Sequence, residues 1–591
     1  MARRSGPVHP ANIALLLPAA LCALIFRSID FLWLEAILLT TILIAAAIFS
    51  KRLSWTARPP AWCRGLRKLS HNAALACLLP ALLSVALRLS LLPWIPIPNP
   101  VVPDEFSHIL LAKTFLLGRL ANPAHPLWQH FESIHILSQP TYSSMYMAGQ
   151  ACFLAIGQLA FGNLFWGVVL STALCCAAMT WFLRAWVPPG WALFGGLLFA
   201  VRIGAASYWN DSYWGGSAGA LGAAMLLGAY PRLLKAWKPT SAIVFAIGLV
   251  VLANTRPYEG AALGSAIVVL LIYNLWKRSA GAIPAKRIAV SATVALIVLG
   301  ASGWAMTQHW KAVTGHALTL PYQVNQQTYG WPLTLPWTKV LPIEFRHPEL
   351  ALYRAFELGE HRQITVPSDI PIGLLLKYAS AMRFFFGLTL CATFLFTTRI
   401  LKACRTRAVW LSGAVVALAV ITEQSGYPHY WAPAAPAMLL FIVQGLRHLA
   451  QCGKSGTPWG PAIVRAAMPL SILLLTARVI TLSAGGPPPA IPNFVSWCCV
   501  DTGPRDRAPI VEKLQTLPGR HLVIVTYDFP KYDTVEWVYN EPDIDSAKIV
   551  YARDMGKEEN QKLIDYYADR RVWQLRIGQD HNAILQPLND R

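Results

Sequence analysis

The stretch "VVPDEFSHILLAKTFLLGRL", Val101 to Leu120, follows a long apolar run and carries two adjacent carboxylates, Asp104 and Glu105, near its start. Ionisable groups are costly in a bilayer, so an acid pair beside a hydrophobic span needs a reason. Pro103 at a first helical position followed by two acids suits a helix N-terminus, where carboxylates meet exposed N–H groups and the positive end of the dipole. The pair therefore indicates a helix start, a catalytic carboxylate, or both.

The composition indicates a polytopic membrane protein. Of the 591 residues, 55% are hydrophobic and 13% charged, which is unusual for a soluble domain. The net charge of +21 falls in short loops between apolar runs, so we assign it to membrane topology and exclude nucleic acid as a partner. The eleven cysteines show no metal-binding spacing. Cys498 and Cys499 are predicted to be free thiols, with a vicinal disulfide as the alternative.

Apolar runs of about 20 residues, the length that crosses a bilayer, predict about thirteen transmembrane helices. The first two, Ala11–Phe26 and Phe31–Ser50, form a hairpin rather than a signal peptide, because no small-residue cleavage site separates them. Met145–Gly162 is expected to lie along or dip into the outer surface without crossing. The other spans are predicted near 71–93, 164–184, 189–207, 214–230, 240–254, 258–276, 288–307, 371–397, 408–423, 430–446 and 461–483.

Alternate loops are rich in lysine and arginine, which the positive-inside rule assigns to the cytoplasm. The N-terminus is then cytoplasmic, the tail after residue 483 is extracytoplasmic, and the protein is a multi-pass component of the inner or plasma membrane. The outer face holds loops 100–162 and 308–370, the tail, and the turns "SYWNDSYWGGS", "NTRPYEG" and "TEQSGYPHYW". All the unusual polar chemistry therefore falls on one side of the membrane.

The predicted fold is mainly α: a polytopic membrane protein with a small C-terminal soluble α/β domain. Residues 1–70 form the N-terminal hairpin and a basic cytoplasmic loop, 71–483 the transmembrane catalytic region, and 484–591 the extracytoplasmic domain. In that domain "HLVIVTY", "VEWVYN", "AKIVYARD" and "VWQLRI" are typical of strands, and "KEENQKLIDYYADRR" of an amphipathic helix. No phosphate loop or nucleophile elbow occurs in it, so we assign it no catalysis.

Two outer-face acids besides Glu105 are candidates for chemistry. Asp104 can act as a general base that deprotonates an acceptor hydroxyl, with Glu105 orienting it or holding a metal or a substrate hydroxyl. Asp211 lies among aromatic residues in a Gly- and Ser-containing turn, where it either satisfies the backbone or binds substrate.

Two further turns supply candidate binding residues. In "NTRPYEG", Arg256 and Glu259 form either an ion pair at the membrane boundary or a site in which Arg256 binds a lipid-linked phosphate. In "GYPHYWAP", His429 and Tyr430 belong either to an interfacial aromatic belt or to a phosphate site.

These features resemble the GT-C glycosyltransferases, in the branch of the protein O-mannosyltransferases and aminoarabinose transferases. "PTYSSMYMAGQACFLAIGQLAFGN" follows the acid pair where those enzymes have "PPLYYWLLALxxxLFG" after "DE", and the likeness covers roughly residues 75–260, more loosely the helices to 446. It implies an inverting sugar transfer from a polyprenyl-phosphate donor on the outer face. Asp104 matches the catalytic carboxylate, Glu105 its neighbour, and Asp211 a second outer acid. "HYWAP" matches a late helix with lipid-phosphate contacts but lacks its arginine, for which Arg256 is the predicted substitute.

We therefore predict an integral-membrane glycosyltransferase that moves a sugar from a polyprenyl-phosphate donor to a glycan, lipid or protein acceptor. No cofactor is predicted to be required, although Asp104, Glu105 and Asp211 are candidate ligands for a divalent metal. One alternative is a transporter or flippase, which needs ionisable groups in mid-membrane or broken helices in paired repeats. The other is a non-catalytic assembly protein for envelope polysaccharide, whose acid pair only caps a helix.

Overall fold

A computed structural model describes residues 32–48, 61–100, 102–277, 284–452, 459–483, 497, 507–528, 536–578 and 582–588. The predicted helix Ala11–Phe26 and the cysteines Cys498 and Cys499 lie outside the described residues. The helices before the tail are α1 Leu32–Ile48, α2 Ala61–His71, α3 Ala73–Leu91, α4 Pro103–Leu116, α5 Ala148–Phe161, α6 Phe165–Trp186, α7 Pro189–Arg202, α8 Ser217–Ala236, α9 Pro239–Thr255, α10 Pro257–Lys277, α11 Ala285–Thr314, α12 Pro321–Tyr329, α13 Pro348–Thr365, α14 Ile370–Ala381, α15 Gly387–Cys391, α16 Thr397–Leu401, α17 Arg407–Thr422, α18 Ala435–Cys452 and α19 Trp459–Ser483.

The helical architecture follows the apolar runs. A helix lies at each span predicted from residue 71 onward, because an apolar segment must satisfy its backbone hydrogen bonds internally. Seven helical segments in the described ranges are long and apolar enough to cross a membrane: Ala73–Leu91, Phe165–Trp186, Pro257–Lys277, Ala285–Thr314, Ile370–Leu401, Cys404–Thr422 and Trp459–Thr481. The predicted count of about thirteen is not confirmed.

The segment predicted to lie along the outer surface contains α5, which has 14 residues. Two glycine contacts fix its place. A Cβ atom on Gly157 would lie 2.0 Å from the backbone nitrogen of Gly167, so α5 and α6 pack backbone to backbone. A Cβ on Gly149 would lie 2.6 Å from the carbonyl oxygen of Asn254. The start of α5 is therefore pressed against the end of α9.

The predicted span 371–397 is a broken helix. A π-helical turn, Met382–Phe386, ends at Gly387, whose φ is +59°, and a new helix, α15, starts there. The carboxylate of Glu35, on α1, accepts hydrogen bonds from the backbone N–H groups of Leu388 (3.1 Å) and Thr389 (2.9 Å). The break is thus stabilised by a side chain about 350 residues away in the chain.

The tail is an α/β domain. Its helices are α20 Arg507–Thr516 and α21 Lys557–Tyr566, and its strands are β4 His521–Tyr527, β5 Ile549–Arg553, β6 Arg571–Ile577 and β7 Ala583–Pro587. The sheet order is β5-β4-β6-β7, with β4 parallel to β5 and β6 and with β7 antiparallel to β6. Three predicted strands and the amphipathic helix are confirmed, whereas α20 and β7 were not predicted.

The prediction of a strand at "VEWVYN" is wrong. Residues 536–540 are irregular, although Trp537 and Val538 are buried in the domain core. The side chain of Asn540 bonds both backbone groups of Tyr551, at 2.8 Å each. The alternating pattern therefore reflects a segment packed beside the sheet and tied to it by an amide side chain, rather than a paired strand.

The tail packs on the loop between α4 and α5. That loop forms a small sheet of β1 Asn122–Pro123, β2 Ile136–Leu137 and β3 Thr141–Ser144 in the order β1-β3-β2. Phe131, Ile136 and Tyr142 of the loop share one apolar cluster with Leu522 and Val550 of the tail. The two segments therefore lie on the same side of the helices, as the sequence predicts.

Candidate active site

A cavity of about 610 Å³ lies where helix ends meet the loop between α4 and α5. Five of the seven predicted site residues line it: Asp104, Arg256, Glu259, His429 and Tyr430. Glu105 and Asp211 do not. The cavity is also lined by polar residues for which the sequence suggested no role, namely His108, His135, Tyr146, Tyr322, Tyr353, Glu357, Glu360 and Glu423.

Asp104 lies in the first turn of α4, and its side chain is 22% exposed. One carboxylate oxygen accepts a short hydrogen bond from the Tyr146 hydroxyl. The other lies 3.6 Å from Nδ1 of His135, and the Tyr146 hydroxyl lies 3.1 Å from the same nitrogen. Asp104, His135 and Tyr146 thus form one polar cluster at the cavity wall.

His135 has a left-handed backbone, with φ +62°. A non-glycine residue in that region costs about 1–3 kcal/mol and persists only where its surroundings fix it. The carbonyl of His135 accepts hydrogen bonds from Ser107 Oγ (2.7 Å) and from the N–H of Met145 (3.2 Å). Its Nε2 lies 2.9 Å from the hydroxyl of Tyr353, on α13. The imidazole is therefore held against Asp104 from several sides.

These contacts keep Asp104 ionised. Burial opposes ionisation, but His135 and the Tyr146 hydroxyl outweigh it and hold the pKa of Asp104 well below its usual value. His108 stacks on Tyr146 with ring centroids 4.5 Å apart. Burial lowers the pKa of His108 to about 3 despite the attraction of Asp104, so its imidazole is neutral at pH 7. The site therefore combines a carboxylate with an uncharged imidazole.

Glu105 points away from the cavity. Its Oε1 accepts the backbone N–H of Tyr213 at 2.9 Å, and its Oε2 accepts the N–H of Val102 at 3.3 Å, one turn before it. The helix-start interpretation of the acid pair is therefore right for Glu105, and the predicted catalytic role does not fit its position. Asp104, one residue earlier, takes the cavity side of the same turn.

Asp211 also lies outside the cavity. Its carboxylate is fully buried and receives a hydrogen bond from Arg88 Nη2 at 2.7 Å. The same guanidinium bonds the carbonyls of Ile95 (2.7 Å) and Pro96 (3.0 Å) and lies 4.7 Å from the ring centroid of Phe165. We call this arrangement the Arg88–Asp211 brace. It fixes the segment after α3 against the turn before α8, so a direct substrate role for Asp211 does not fit.

The predicted metal ligands do not converge, since Asp104, Glu105 and Asp211 each bind different groups. Within the described ranges no group of three or more His, Cys, Asp or Glu side chains could hold a metal ion.

Arg256 lies at the junction of α9 and α10. Its guanidinium carbon is 4.7 Å from the ring centroid of Tyr430. No carboxylate oxygen in the described part of the chain makes a direct ion pair with it, although the carboxylates of Glu259 and Glu423 are close enough to attract its charge. Glu259 and Glu423 are buried in the same cavity wall. Arg256 thus lies between the ring of Tyr430 and two buried carboxylates at the cavity wall.

His429 and Tyr430 form an aromatic wall rather than an interfacial belt. His429 is buried, with Nδ1 2.9 Å from the hydroxyl of Tyr208 and its ring centroid 4.5 Å from that of Trp214. An interfacial belt residue would instead face lipid headgroups. In this wall the ring of Tyr430 packs against the guanidinium of Arg256, and the two residues form one side of the cavity.

Glu357 and Glu360 of α13 face the cavity opposite the helix ends. Glu357 accepts a hydrogen bond from Gln424 Nε2 at 3.4 Å, and Glu360 accepts one from Ser425 Oγ at 2.6 Å. Burial raises the pKa of Glu357 to about 8 and that of Glu360 above its usual value. The i, i+3 spacing in "FELGEH" was the sequence signal that could have placed both acids on one helix face.

Comparisons with known proteins give only structural likeness. No protein-family model matches the chain, and a search of the curated proteins finds no match. Among solved structures, the apo oligosaccharyltransferase of Archaeoglobus fulgidus is similar, with 12% identity, a TM-score of 0.40, and coverage of 77% of this chain and 62% of that one.

Two further structures are similar. One is the oligosaccharyltransferase AglB of Archaeoglobus fulgidus in complex with an inhibitory peptide and a dolichol-phosphate, at 11% identity and TM-score 0.42, covering 85% of this chain and 69% of that one. The other is ArnT of Cupriavidus metallidurans bound to undecaprenyl phosphate, at 14% identity and TM-score 0.44, covering 84% and 92%. At these identities the likeness concerns the fold alone. Because the likeness is one of overall shape, the functional argument rests on the cavity.

Proposed function

We propose that this chain is a membrane glycosyltransferase that moves a sugar from a polyprenyl-phosphate donor to an acceptor hydroxyl at the outer face of the membrane. One observation carries the proposal: an ionised carboxylate, Asp104, and an arginine with no ion-pair partner among the described residues, Arg256, line the same cavity. Sugar transfer from phosphate needs a proton acceptor beside the attacking oxygen and positive charge beside the leaving group.

In the proposed reaction, the acceptor hydroxyl lies against Asp104 and the donor phosphate against Arg256. The hydroxyl oxygen attacks the anomeric carbon while the bond from that carbon to the phosphate oxygen breaks. The hydroxyl proton passes to the Asp104 carboxylate, and the electrons of the broken bond leave with polyprenyl phosphate, whose charge Arg256 offsets. A single displacement of this kind inverts the configuration at the anomeric carbon.

A carboxylate of low pKa is a weak base, and the character of the transition state makes a weak base sufficient. The anomeric carbon acquires oxocarbenium character as the phosphate departs. The attacking hydroxyl becomes strongly acidic only as its new bond forms, so proton transfer to Asp104 comes late. His135 and Tyr146 keep the Asp104 carboxylate ionised at neutral pH and hold it in one orientation.

The test is transfer by Asp104→Asn, assayed in proteoliposomes with labelled sugars on polyprenyl phosphate. The amide keeps the size of the side chain but cannot take the proton, so we expect a loss of about 10²- to 10⁴-fold. Asp565→Asn is the matched control, because Asp565 is exposed on α21 in the tail. Undiminished transfer by folded Asp104→Asn would overturn the assignment of the base.

A second measurement separates the rival functions. A glycosyltransferase of this kind should bind undecaprenyl phosphate in the purified state, detectable by mass spectrometry of the extracted lipid. Movement of a solute or lipid across liposomes without sugar transfer would instead favour a transporter or flippase. If the protein shows neither sugar transfer nor transport, and cells that carry Asp104→Asn keep wild-type levels of envelope polysaccharide, the assembly protein is favoured.

A further inference from the structure

We propose that Arg553, on strand β5 of the C-terminal domain, is a positioning residue for the contact between His135 and Asp104. The inference gives the tail, to which the sequence assigns no catalysis, a part in the site, and its importance for transfer rests on the proposed function. Arg553 is buried, at 2% exposure, and lies between the two elements that hold the His135 imidazole.

The first of these elements is the loop segment that leads to His135. Arg553 Nε donates to the carbonyl of Glu132 at 2.6 Å, and the carbonyl of Arg553 lies 3.1 Å from Nδ1 of His130. Arg553 Nη2 donates to Glu536 Oε2 at 2.7 Å, and the same oxygen accepts from Ser133 Oγ at 3.2 Å. The tail therefore forms hydrogen bonds with His130, Glu132 and Ser133, which come just before the left-handed residue His135.

The second element is α13, which carries the hydroxyl that meets the other imidazole nitrogen. Arg553 Nη1 lies 3.8 Å from the carboxylate of Glu349, in the first turn of α13. Tyr353 stands one turn later on the same helix, and its hydroxyl is 2.9 Å from His135 Nε2. The guanidinium of Arg553 thus contacts both the loop that carries the His135 imidazole and the helix whose Tyr353 hydroxyl orients that imidazole.

The backbone of His135 explains why such a support is needed. A left-handed histidine relaxes to an ordinary conformation unless the chain on either side is fixed. The residues after it are fixed by β2 and β3. Before it, the carboxylate of Glu132 binds Tyr329 and Arg346, whereas the backbone carbonyl of Glu132 and the side chain of Ser133 are held by the network around Arg553. Removing the guanidinium takes away the contacts to the backbone of this segment, so its backbone can shift and the imidazole can withdraw from Asp104.

The test uses the full chain in nanodiscs with ¹⁵N-labelled histidine, and the His135 signal is assigned by its loss in His135→Gln. Arg553→Met should shift the His135 signal and reduce transfer at least tenfold, with the acid limb of the pH–rate profile moved to higher pH. Arg553→Lys, which keeps the charge, should restore part of the transfer rate and bring the His135 signal part of the way back to its wild-type position. Arg576→Met is the matched control, since Arg576 is 56% exposed on strand β6 of the same sheet and pairs with Asp528.

Each result decides the proposal. If folded Arg553→Met leaves the His135 signal unshifted, the proposal is overturned. It is also overturned if Arg553→Met lowers the transfer rate equally at every pH and leaves the acid limb of the pH–rate profile in place. If Arg553→Met does not fold, Glu349→Gln reports on the α13 contact alone and should move the same signal in the same direction; an unmoved signal there overturns the inference. If the wild-type protein transfers no sugar, the proposed function fails while the histidine signal still decides whether Arg553 positions His135.

Discussion

Asp104 and Glu105 are neighbours in the chain, yet they serve two different regions of the molecule. Asp104 faces the cavity, partly exposed, and binds side chains that keep it ionised. Glu105 faces the interior and, beside the Arg88–Asp211 brace, ties two segments together through backbone N–H groups. Successive residues of a helix point about 100° apart, so one turn can serve both regions. The partners that reach a carboxylate, rather than its place in the sequence, therefore decide whether it is available for chemistry.

The largest effect is expected in the brace. Asp211→Asn leaves the buried Arg88 guanidinium without its counter-ion, which should lower the free energy of unfolding by about 3–5 kcal/mol. Thermal unfolding in detergent would measure it, with the exposed Asp569→Asn as control. The protein that stays folded should keep its transfer activity. A stable Asp211→Asn variant without activity would contradict the division between brace and cavity.

The next effect concerns the cavity. Arg256→Gln removes a charged donor that lines the cavity and lies outside the brace, so binding of a phosphate should weaken. Charge-assisted hydrogen bonds contribute about 1.5–3 kcal/mol, equivalent to an affinity for undecaprenyl phosphate roughly 10- to 150-fold lower. Fluorescence titration with that lipid phosphate would measure the change. Arg362→Gln on α13, 65% exposed, is the control, and equal losses in both variants would contradict a specific phosphate site.

A smaller effect is expected in the pH dependence. His135 holds down the pKa of Asp104, so in His135→Gln that pKa should rise, by about one unit or more. Because the proposed base works only when ionised, the acid limb of the pH–rate profile should move to higher pH by the same amount. Tyr353→Phe, which keeps the imidazole but loses one of its hydrogen bonds, should give a smaller shift. A limb that does not move in His135→Gln would show that Asp104 does not control the rate.

The smallest effect concerns the stability of the cavity itself. The pKa of Glu357 is raised to about 8, so the folded state keeps its proton where the unfolded chain, with a pKa of about 4.3, has lost it. The wild type therefore loses stability as the pH rises from about 4.3 to 8. Glu357→Gln removes this penalty, so its unfolding midpoint should exceed that of the wild type by roughly 2 °C or more at pH 8 and match it near pH 5. A constant difference between the two at every pH would contradict the raised pKa.

The sequence determined the helices well because the signal for a helix is local. An apolar run of sufficient length must be helical in a bilayer, and the predicted spans from residue 71 onward coincide with helices. The break at Gly387 was not predicted, because the carboxylate that stabilises it is distant in the chain. In the tail, "VEWVYN" has a strand pattern, but Asn540 occupies the hydrogen bonds of Tyr551 that a paired strand would need.

The candidate site could be predicted only where a residue stands at a helix end on the predicted outer face. Asp104 and Arg256 met that condition and line the cavity. His135 and Tyr353 could not be found, because they meet across 218 residues of sequence and neither belongs to a motif. Asp211 and Glu105 lie outside the cavity, which could not be foreseen, since a sequence gives the position of an acid but not the group toward which it points.

The carboxylate of Glu35 also has a consequence for how the protein is made. On a ribosome that adds about 5–20 residues per second, the roughly 350 residues between Glu35 and the backbone groups that it binds take on the order of a minute or less to synthesise. During that time the first helices leave the insertion machinery with an acid that has no partner. Membrane assembly of this chain is therefore expected to be non-sequential: α1 stays near the translocon, or is shielded by a chaperone, until the broken helix arrives to receive it.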